Sequence, residues 1–368
     1  MSLLGIDIPL LAFSHCRDVV AAVTNAGGFG VLGAVTLTPE QLEQELNWIE
    51  AEVRGKPYGV DIIVPQKSVG KGQRLTSEQF ADMIPAEYRQ YVDALLVEHG
   101  IEPAVRTHTP RVSLTDDASD GLLEVAFKHP IKLIANALGP PPPSMVDAGK
   151  SHGVPVAALA GAKEHAVKHV DAGVDIIVAA GTEAGGHCGE VTTMVLVPEI
   201  IEAIKPIREV PVLAAGGIVT GRQMAAAVAM GAAGAWTGSV WLTTEEAETE
   251  PYTKQRMLAA TSRDTVRSTC RTGKPTRQLK SDWTEAWESG HAPEPLPMPL
   301  QSMISEPALR RIDTLAAKGD EGAQALATYW VGQGVGLMNS VKPARQVVYE
   351  FAEDYLAAAE RLRDSLGD

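Results

Sequence analysis

The sequence predicts an α/β protein folded as a (β/α)8 barrel, or TIM barrel. Short apolar runs alternate with segments of helical periodicity, which is typical of parallel strands joined by right-handed crossovers. Eight apolar runs of strand length can be counted, and the 368 residues exceed the roughly 250 that such a barrel needs. A doubly wound sheet is the second architecture considered, but no Gly-x-Gly-x-x-Gly fingerprint follows the first run.

The elements follow in chain order. A helix predicted over residues 17–26 ends at the helix-stop pair Gly27-Gly28. Thr38 and Pro39 have the residue types of an N-cap and a first helical position. Further helices are predicted over 162–172 and 221–230, and a strongly amphipathic helix over 343–366 is expected to pack on the barrel. The eight predicted strands cover residues 9–13, 29–32, 58–64, 131–136, 154–159, 175–179, 210–215 and 234–238.

Two segments break the alternation of strands and helices. Residues 65–130 are polar, contain one clear helix near 85–99 and are too long for an ordinary loop, so they are predicted to be an insertion after the third strand. Residues 245–335 contain helices and a proline-rich stretch, and they are predicted to form a helical cap near the barrel mouth. The barrel itself is then expected to comprise residues 1–244, with the insertion 65–130, and residues 336–368.

Composition and charge argue against several classes of function. The 46 acidic and 32 basic residues leave a formal net charge of −14, which disfavours nucleic-acid binding. The longest apolar runs are strand-sized and the N-terminus lacks a signal-peptide pattern, so we expect a cytoplasmic protein without membrane spans. The three cysteines lie far apart in sequence, so neither a disulfide framework nor a metal site is expected. A small-molecule substrate is expected, and a homodimer is kept as one option.

Two glycine-rich loops follow the last two predicted strands. The first, Ala214–Gly221, contains Gly216 and Gly217, and it precedes a helix whose N-terminus offers free N–H groups. The second contains Trp236, Thr237, Gly238 and Ser239, whose backbone and hydroxyl groups can donate hydrogen bonds. The last two strand-to-helix loops of a barrel often form a phosphate site, so this pair predicts phosphate binding. Tight turns without a ligand are the alternative interpretation.

A third glycine-rich loop, Gly181–Gly189, follows the sixth predicted strand. Its four glycines around Glu183 and His187 favour a flat cofactor lying against the backbone, with His187 on the substrate side as a base or a hydrogen-bond donor. Glu183 is assigned to orienting the loop. A Cys188–His187 nucleophile pair is disfavoured because adjacent residues rarely face each other.

Other histidines carry weaker signals. His15 follows the first strand and is expected, together with Phe13 and Ser14, to line the substrate pocket. His165 and His169 have zinc-like spacing on a predicted helix, but without further ligands the pattern predicts a solvated helix face.

The glycine-rich loops resemble those of the nitronate monooxygenase family, formerly called 2-nitropropane dioxygenases. The resemblance extends in order along nearly the whole chain, and the Glu183–His187 stretch is its most specific part. The matching segments are 22–30, 59–65, 181–189, 212–218 with Gly221 and Arg222, 238–239 and 332–337.

This resemblance implies an FMN-containing barrel without a metal, whose relatives oxidise alkyl nitronates with O₂ to carbonyl compounds and nitrite. It implies His187 as the active-site residue that binds the nitro group or, in some members, takes the α-proton. Gly217, Gly238 and Ser239 would hold the FMN phosphate. The remaining residues assigned to the cofactor are Asp61, Ala180, Gly185, Gly186, Gly216, Trp236 and Thr237.

Three departures from the family pattern lie near the implied flavin. The turn after the first strand reads Phe13-Ser-His-Cys16, Asp61 replaces an asparagine, and Ala180 replaces a glutamine. An ionised carboxylate at position 61 would disfavour an anionic reduced flavin unless it is protonated or paired.

Three other functions stay open on the sequence alone. One is an NAD(P)H-dependent FMN reductase that acts on a quinone or an enoyl thioester. Another is a flavin-free isomerase or aldolase that uses the double phosphate loop. The last is a barrel kept only as a binding scaffold.

Overall fold

A computed structural model describes residues 2–64, 77–103 and 116–365. Eight parallel strands close into a barrel in the order β1-β2-β3-β4-β5-β6-β8-β9, with β1 pairing to both β2 and β9. The TIM barrel predicted from the sequence is therefore confirmed. The strands of the described residues are β1 (Leu10–Ser14), β2 (Phe29–Gly33), β3 (Gly59–Ile62), β4 (Leu133–Asn136), β5 (Val156–Ala160), β6 (Ile176–Ala180), β7 (Gly186–His187), β8 (Val212–Ala215), β9 (Gly234–Thr237), β10 (Thr265–Ser268) and β11 (Thr276–Leu279).

All eight predicted strands are barrel strands, with ends shifted by one or two residues. The third strand is shorter than predicted, since it ends at Ile62 although apolar character continues to Val64. Nearly every residue of the barrel strands is buried, because helices cover the outside and the inward side chains fill the interior. Only the residues at the carboxyl ends of the strands remain free to form a site.

Helices alternate with the strands as the periodicity predicts. Thr38 caps α2 in a capping box with Gln41, and Pro39 is its first residue, as the sequence predicted. The helices of the described residues are α1 (Arg17–Asn25), α2 (Pro39–Val53), α3 (Ser77–Asp82), α4 (Ala86–Glu98), α5 (Asp116–Ala126), α6 (Pro143–His152), α7 (Lys163–Asp171), α8 (Thr193–Ile204), α9 (Gly221–Ala229), α10 (Pro251–Ala259), α11 (Asp282–Glu288), α12 (Leu300–Ala316), α13 (Glu321–Leu326) and α14 (Ala344–Ser365). Short 3₁₀ helices cover Ser2–Leu4, Ser239–Thr243, Ser262–Asp264 and Gln333–Leu337.

The C-terminal helix α14 packs on α9, which closes the outer layer beside the last strands. A Cβ atom at Gly221 would lie 2.0 Å from the Phe351 carbonyl oxygen, so only glycine permits this approach. This packing confirms the prediction that the terminal amphipathic helix returns to the barrel.

Helices α3 and α4 of the predicted insertion and the segment 245–335 form one lid with a shared core. The prediction that the whole of 65–130 is an insertion was wrong for α5, which packs on α2 as an outer helix of the barrel. Helix α4, from the insertion, packs against α12, and Tyr88, Trp283 and Leu309 belong to the same apolar cluster. The segment 245–335 is not purely helical, because β10 and β11 form an antiparallel hairpin that continues to β7. Of the predicted insertion, residues 65–76 and 104–115 lie outside the described residues.

Within the described ranges, no helix combines the length and the apolar character that a membrane span requires.

Candidate active site

A cavity of about 730 Å³ lies at the carboxyl ends of the barrel strands, beneath the lid. This volume falls within the roughly 300–1,000 Å³ of small-molecule sites. Every residue that the sequence singled out for a site lines it. These residues are Phe13, Ser14, His15, Asp61, Ala180, Gly185, Gly186, His187, Gly216, Gly217, Trp236, Thr237, Gly238 and Ser239.

One end of the cavity is lined by the two loops predicted to bind phosphate. Gly216 and Gly217 have φ angles of +113° and +68°, which favour glycine. Among the described residues, no acceptor pairs with the backbone N–H groups of Gly217, Gly238 or Ser239. The Ser239 hydroxyl oxygen accepts a hydrogen bond from the Gly332 N–H at 2.8 Å and keeps its own proton for a ligand. This end of the cavity therefore offers several free donors to an anion.

The loop Gly181–Gly189 is held in place by Glu183. Its carboxylate accepts hydrogen bonds from the Thr193 backbone N–H at 2.9 Å and from the Thr193 hydroxyl at 2.8 Å. This places a negative charge at the N-terminus of α8, where the helix dipole favours it. A Cβ atom at Gly185 would lie 2.7 Å from the Gly332 nitrogen, so the loop also packs directly on a second backbone segment. Glu183 thus orients the loop, as the sequence predicted.

His187 lies on β7, where Thr276 of β11 is its pairing partner. Its Nε2 atom is 3.0 Å from the Thr272 hydroxyl, whereas Nδ1 forms no hydrogen bond with a described residue. Burial, together with the charges of Lys274 and Arg271, lowers the pKa of His187 to about 4. The imidazole is therefore neutral near pH 7, and Nδ1 is the ring nitrogen available to a molecule in the cavity.

The hydrogen bond of the Thr272 hydroxyl determines whether Nδ1 of His187 is a donor or an acceptor toward the cavity. Besides His187, this hydroxyl lies 3.2 Å from the Lys274 carbonyl oxygen, so its single proton has two possible acceptors. When the hydroxyl donates to Nε2, the neutral ring carries its proton on Nδ1 and becomes a donor toward the cavity. When the Thr272 hydroxyl donates to the Lys274 carbonyl oxygen instead, the ring carries its proton on Nε2 and Nδ1 is an acceptor.

Arg271 brings a buried positive charge to the cavity wall. Its Nε atom donates to the Glu306 carboxylate at 2.7 Å, and its guanidinium carbon lies 3.8 Å from the centre of the Trp330 ring. Burial is the largest single influence and lowers the pKa of Arg271, but Glu306, Asp313 and Tyr329 together outweigh it, so the pKa is raised. None of these residues was identified from the sequence, because their segment shows no local motif and reaches the site only through the lid.

Aromatic side chains form the side of the cavity next to β1. The Phe13 ring lies 5.1 Å from the His15 ring and 6.3 Å from the Trp236 ring, measured between centroids. His15 Nδ1 is 2.8 Å from the Gly33 carbonyl oxygen, and burial lowers the pKa of His15. The Thr237 hydroxyl donates to the Leu11 carbonyl oxygen at 2.8 Å. Because the hydroxyl proton is used inside the barrel, Thr237 contributes backbone groups to the cavity.

Asp61, on β3, is a buried carboxyl group in the cavity wall. Its side chain forms no hydrogen bond or ion pair with a residue that the structure describes, and burial raises its pKa to about 8. Asp61 is therefore mostly protonated near pH 7, which removes the negative charge that the sequence placed beside the implied flavin.

Asp61→Asn is expected to stabilise the protein increasingly as the pH rises. Because the folded-state pKa of Asp61 lies above its ordinary value, the folded state binds more protons between about pH 4 and pH 8. The free energy of unfolding of the wild type therefore falls as the pH rises through this window, whereas the asparagine of the variant does not titrate and contributes no such loss. The variant should gain on the order of a few kcal/mol at pH 9 and little at pH 4. Urea unfolding at both pH values measures this difference, and an equal effect at the two pH values would contradict it.

The structure also tests two weaker expectations, the solvated helix face at His165 and His169 and the disfavoured Cys188–His187 nucleophile pair. His169 is buried, and its Nε2 atom lies 2.9 Å from the Leu159 carbonyl oxygen, so the prediction of a solvated face was wrong for this residue. His165, one turn earlier, is exposed. Burial raises the pKa of Cys188, which keeps its thiol protonated and argues against a cysteine nucleophile.

The family model for nitronate monooxygenase matches residues 12–354. A protein of Mycobacterium tuberculosis with a provisional monooxygenase name is 54% identical, across 98% of this chain and 97% of its own length. A provisionally named nitronate monooxygenase of Staphylococcus haemolyticus is 28% identical, across 92% of this chain and 91% of its own length.

Two solved structures share the fold over nearly their whole length. A nitroalkane oxidase from Streptomyces ansochromogenes superposes with a TM-score of 0.79 at 26% identity, covering 97% of this chain and 98% of its own. FabK from Thermotoga maritima superposes with a TM-score of 0.69 at 25% identity, covering 99% of this chain and 97% of its own.

Proposed function

The chain belongs to the nitronate monooxygenase family and is an oxidoreductase, and we propose that it uses FMN and O₂ to oxidise alkyl nitronates. The products would be a carbonyl compound and nitrite. His187 carries this proposal, because it is a neutral imidazole with one free nitrogen on the wall of a cavity that also fits a flavin phosphate.

The residues present fit FMN. The free N–H groups of Gly217, Gly238 and Ser239 suit its phosphate, and the two glycines with positive φ let the backbone approach it closely. Protonated Asp61 offers one donor and one acceptor to the polar edge of the ring system. When bound, a flavin would supply the electron-transfer chemistry between the substrate and O₂.

The pKa of His187 favours a nitronate over its neutral nitroalkane. General-base catalysis works best when the pKa of the base lies near the working pH, and a pKa of about 4 makes His187 a weak base at pH 7. A nitronate has already lost its α-proton and needs only to be held. With the Thr272 hydroxyl donating to Nε2, His187 can donate its Nδ1 proton to a nitronate oxygen.

The charges around His187 suit an anionic substrate. Lys274 and Arg271 lie close enough to lower the pKa of His187, so both contribute positive potential where a nitronate would bind. Glu306 partly neutralises Arg271 at 2.7 Å and fixes its position.

The test compares reductants of the flavin in the absence of O₂. We expect the purified protein to bind FMN. Without O₂, the absorbance of the bound flavin should bleach faster with ethylnitronate than with NADH or NADPH. With O₂ readmitted, nitrite should form in step with nitronate consumption. Faster bleaching by NADH or NADPH would support the FMN reductase instead. A protein that takes up no FMN when it is added would support the flavin-free alternatives.

A further inference from the structure

The outer face of the C-terminal helix α14 carries large apolar side chains that are exposed. Its inner face packs on α9 and α1 and buries residues such as Val348 and Phe351. On the opposite face, Tyr349 and Leu356 keep 54% and 61% of their surface exposed. Single apolar residues are common on protein surfaces, so the arrangement of their neighbours decides whether they belong to an interface.

The exposed residues of α14 form one continuous stripe. An α-helix turns by roughly 100° per residue, so Arg345, Tyr349, Leu356 and Glu360 point within about 60° of one another. We call these four residues the α14 stripe. Two apolar side chains lie in its middle, a positive charge lies at one end and a negative charge at the other. The two charges are about 22 Å apart along the helix axis.

The charges at the ends of the α14 stripe have no partner within the chain. Neither Arg345 nor Glu360 forms an ion pair or a side-chain hydrogen bond with a residue that the structure describes, and both are exposed. By contrast, Glu350 and Asp354 of the same helix pair with basic residues outside it. Arg345 and Glu360 are therefore available to a second molecule.

The α14 stripe is complementary to itself. If two α14 helices pack antiparallel about a twofold axis between Ala352 and Glu353, each residue faces one that lies equally far beyond the axis. Arg345 then faces Glu360 of the partner subunit, and Tyr349 faces Leu356 of the partner subunit. Each contact occurs twice, as an isologous interface requires. A parallel pair in register would instead place like charges opposite each other.

We propose that the chain forms a homodimer in which the α14 stripes of two copies pack antiparallel. Tyrosine is a residue type that is enriched at interfaces, and opposite charges at the ends of the stripe fix its register. No residue of the stripe lines the cavity, so the dimer does not depend on the proposed function. One helix face is smaller than a standard interface, so we expect dissociation of the dimer to be measurable by dilution.

The first test is sedimentation of the full chain over a range of protein concentrations. The mass in solution should change from that of one chain to that of two as the concentration rises. A protein that stays monomeric up to its highest soluble concentration would overturn the proposal.

Charge reversal tests the register. Arg345→Glu places like charges at both symmetric contacts and should raise the Kd of the dimer by at least about 100-fold. Adding Glu360→Arg to this variant reverses both charges and should return the Kd to near the wild-type value. Lys205→Glu makes the same change in charge at an exposed position at the end of α8, and it should leave the Kd unchanged. If Arg345→Glu dimerises like the wild type, or if the double variant does not recover, the proposed pairing is wrong.

Crosslinking locates the axis in a protein whose stripe is intact. A cysteine at position 353 would lie beside the twofold axis, so Glu353→Cys should be joined to its own copy by a short bismaleimide. Glu202→Cys, at an exposed position on α8, should give no more crosslinked dimer than the wild type. Equal crosslinking of the two variants would show that the copies do not meet at α14.

Discussion

His187→Ala is expected to lower kcat/KM for alkyl nitronates by about 10²–10³-fold, the usual effect of removing one positioned donor from a developing charge. FMN should remain bound, because the imidazole is on the substrate side and the phosphate donors come from other loops. Steady-state kinetics with ethylnitronate, together with the flavin content of the variant, measures both outcomes.

The pH profile distinguishes a donor from a base. With the pKa of His187 at about 4, the imidazole is neutral throughout the range above about pH 5. For a substrate supplied as the nitronate, kcat/KM should therefore show no inflection near pH 6.5. An inflection near that pH that disappears in His187→Ala would contradict the donor role and support proton abstraction.

His165→Ala is the matched control for this substitution. His165 is exposed on α7 and lies outside the cavity lining, so its removal should leave kcat/KM within a factor of about two. Equal losses in both variants would show that His187 acts through stability alone.

Gly216→Val is expected to raise the Kd for FMN by at least about 100-fold, by distorting the phosphate loop. Its φ of +113° lies where β-branched residues are strained, and such strain costs about 1–3 kcal/mol. A Cβ atom there would also lie 2.7 Å from the Thr193 hydroxyl, which contacts Glu183. The substitution therefore distorts the phosphate loop at Gly216 and also disturbs the loop Gly181–Gly189, which Glu183 holds through Thr193. Fluorescence titration of the flavin-free protein with FMN measures the change.

Gly319→Val separates local distortion from a general loss of stability. Gly319 has a φ of +88°, and its Cβ position has no neighbour within 4 Å. The control therefore carries comparable backbone strain away from the cavity, and its affinity for FMN should equal that of the wild type. If both variants lost FMN equally, the phosphate assignment to the loop at Gly216 would fail.

The sequence by itself determined the barrel and the position of its candidate site. Eight apolar runs separated by helices predict parallel strands, and this pattern can be read from the sequence because it depends only on neighbouring residues. All eight predicted strands form the closed barrel. The glycine-rich loops could be recognised for the same reason, since glycine marks a backbone that must turn sharply or approach a ligand. Because the carboxyl ends of parallel strands meet at one end of a barrel, loops far apart in sequence could be assigned to one cavity.

Only the tertiary structure decided how the lid completes that cavity. Thr272 is 85 residues from His187, and the pair is brought together by β7 and β11, which no local pattern in the sequence indicated. Arg271 reaches the cavity with partners from α12 and from the segment after α13, so its role depends on the packing of the whole lid.

The electrostatic states of the site residues were also decided by tertiary structure. From residue type alone, Asp61 is expected to be a charged carboxylate and His187 a histidine that titrates near neutral pH. Burial from all sides raises one pKa to about 8 and lowers the other to about 4, so both side chains are mainly uncharged at pH 7. A sequence pattern predicts which side chains meet at a site, but desolvation depends on every atom that surrounds them in the folded protein.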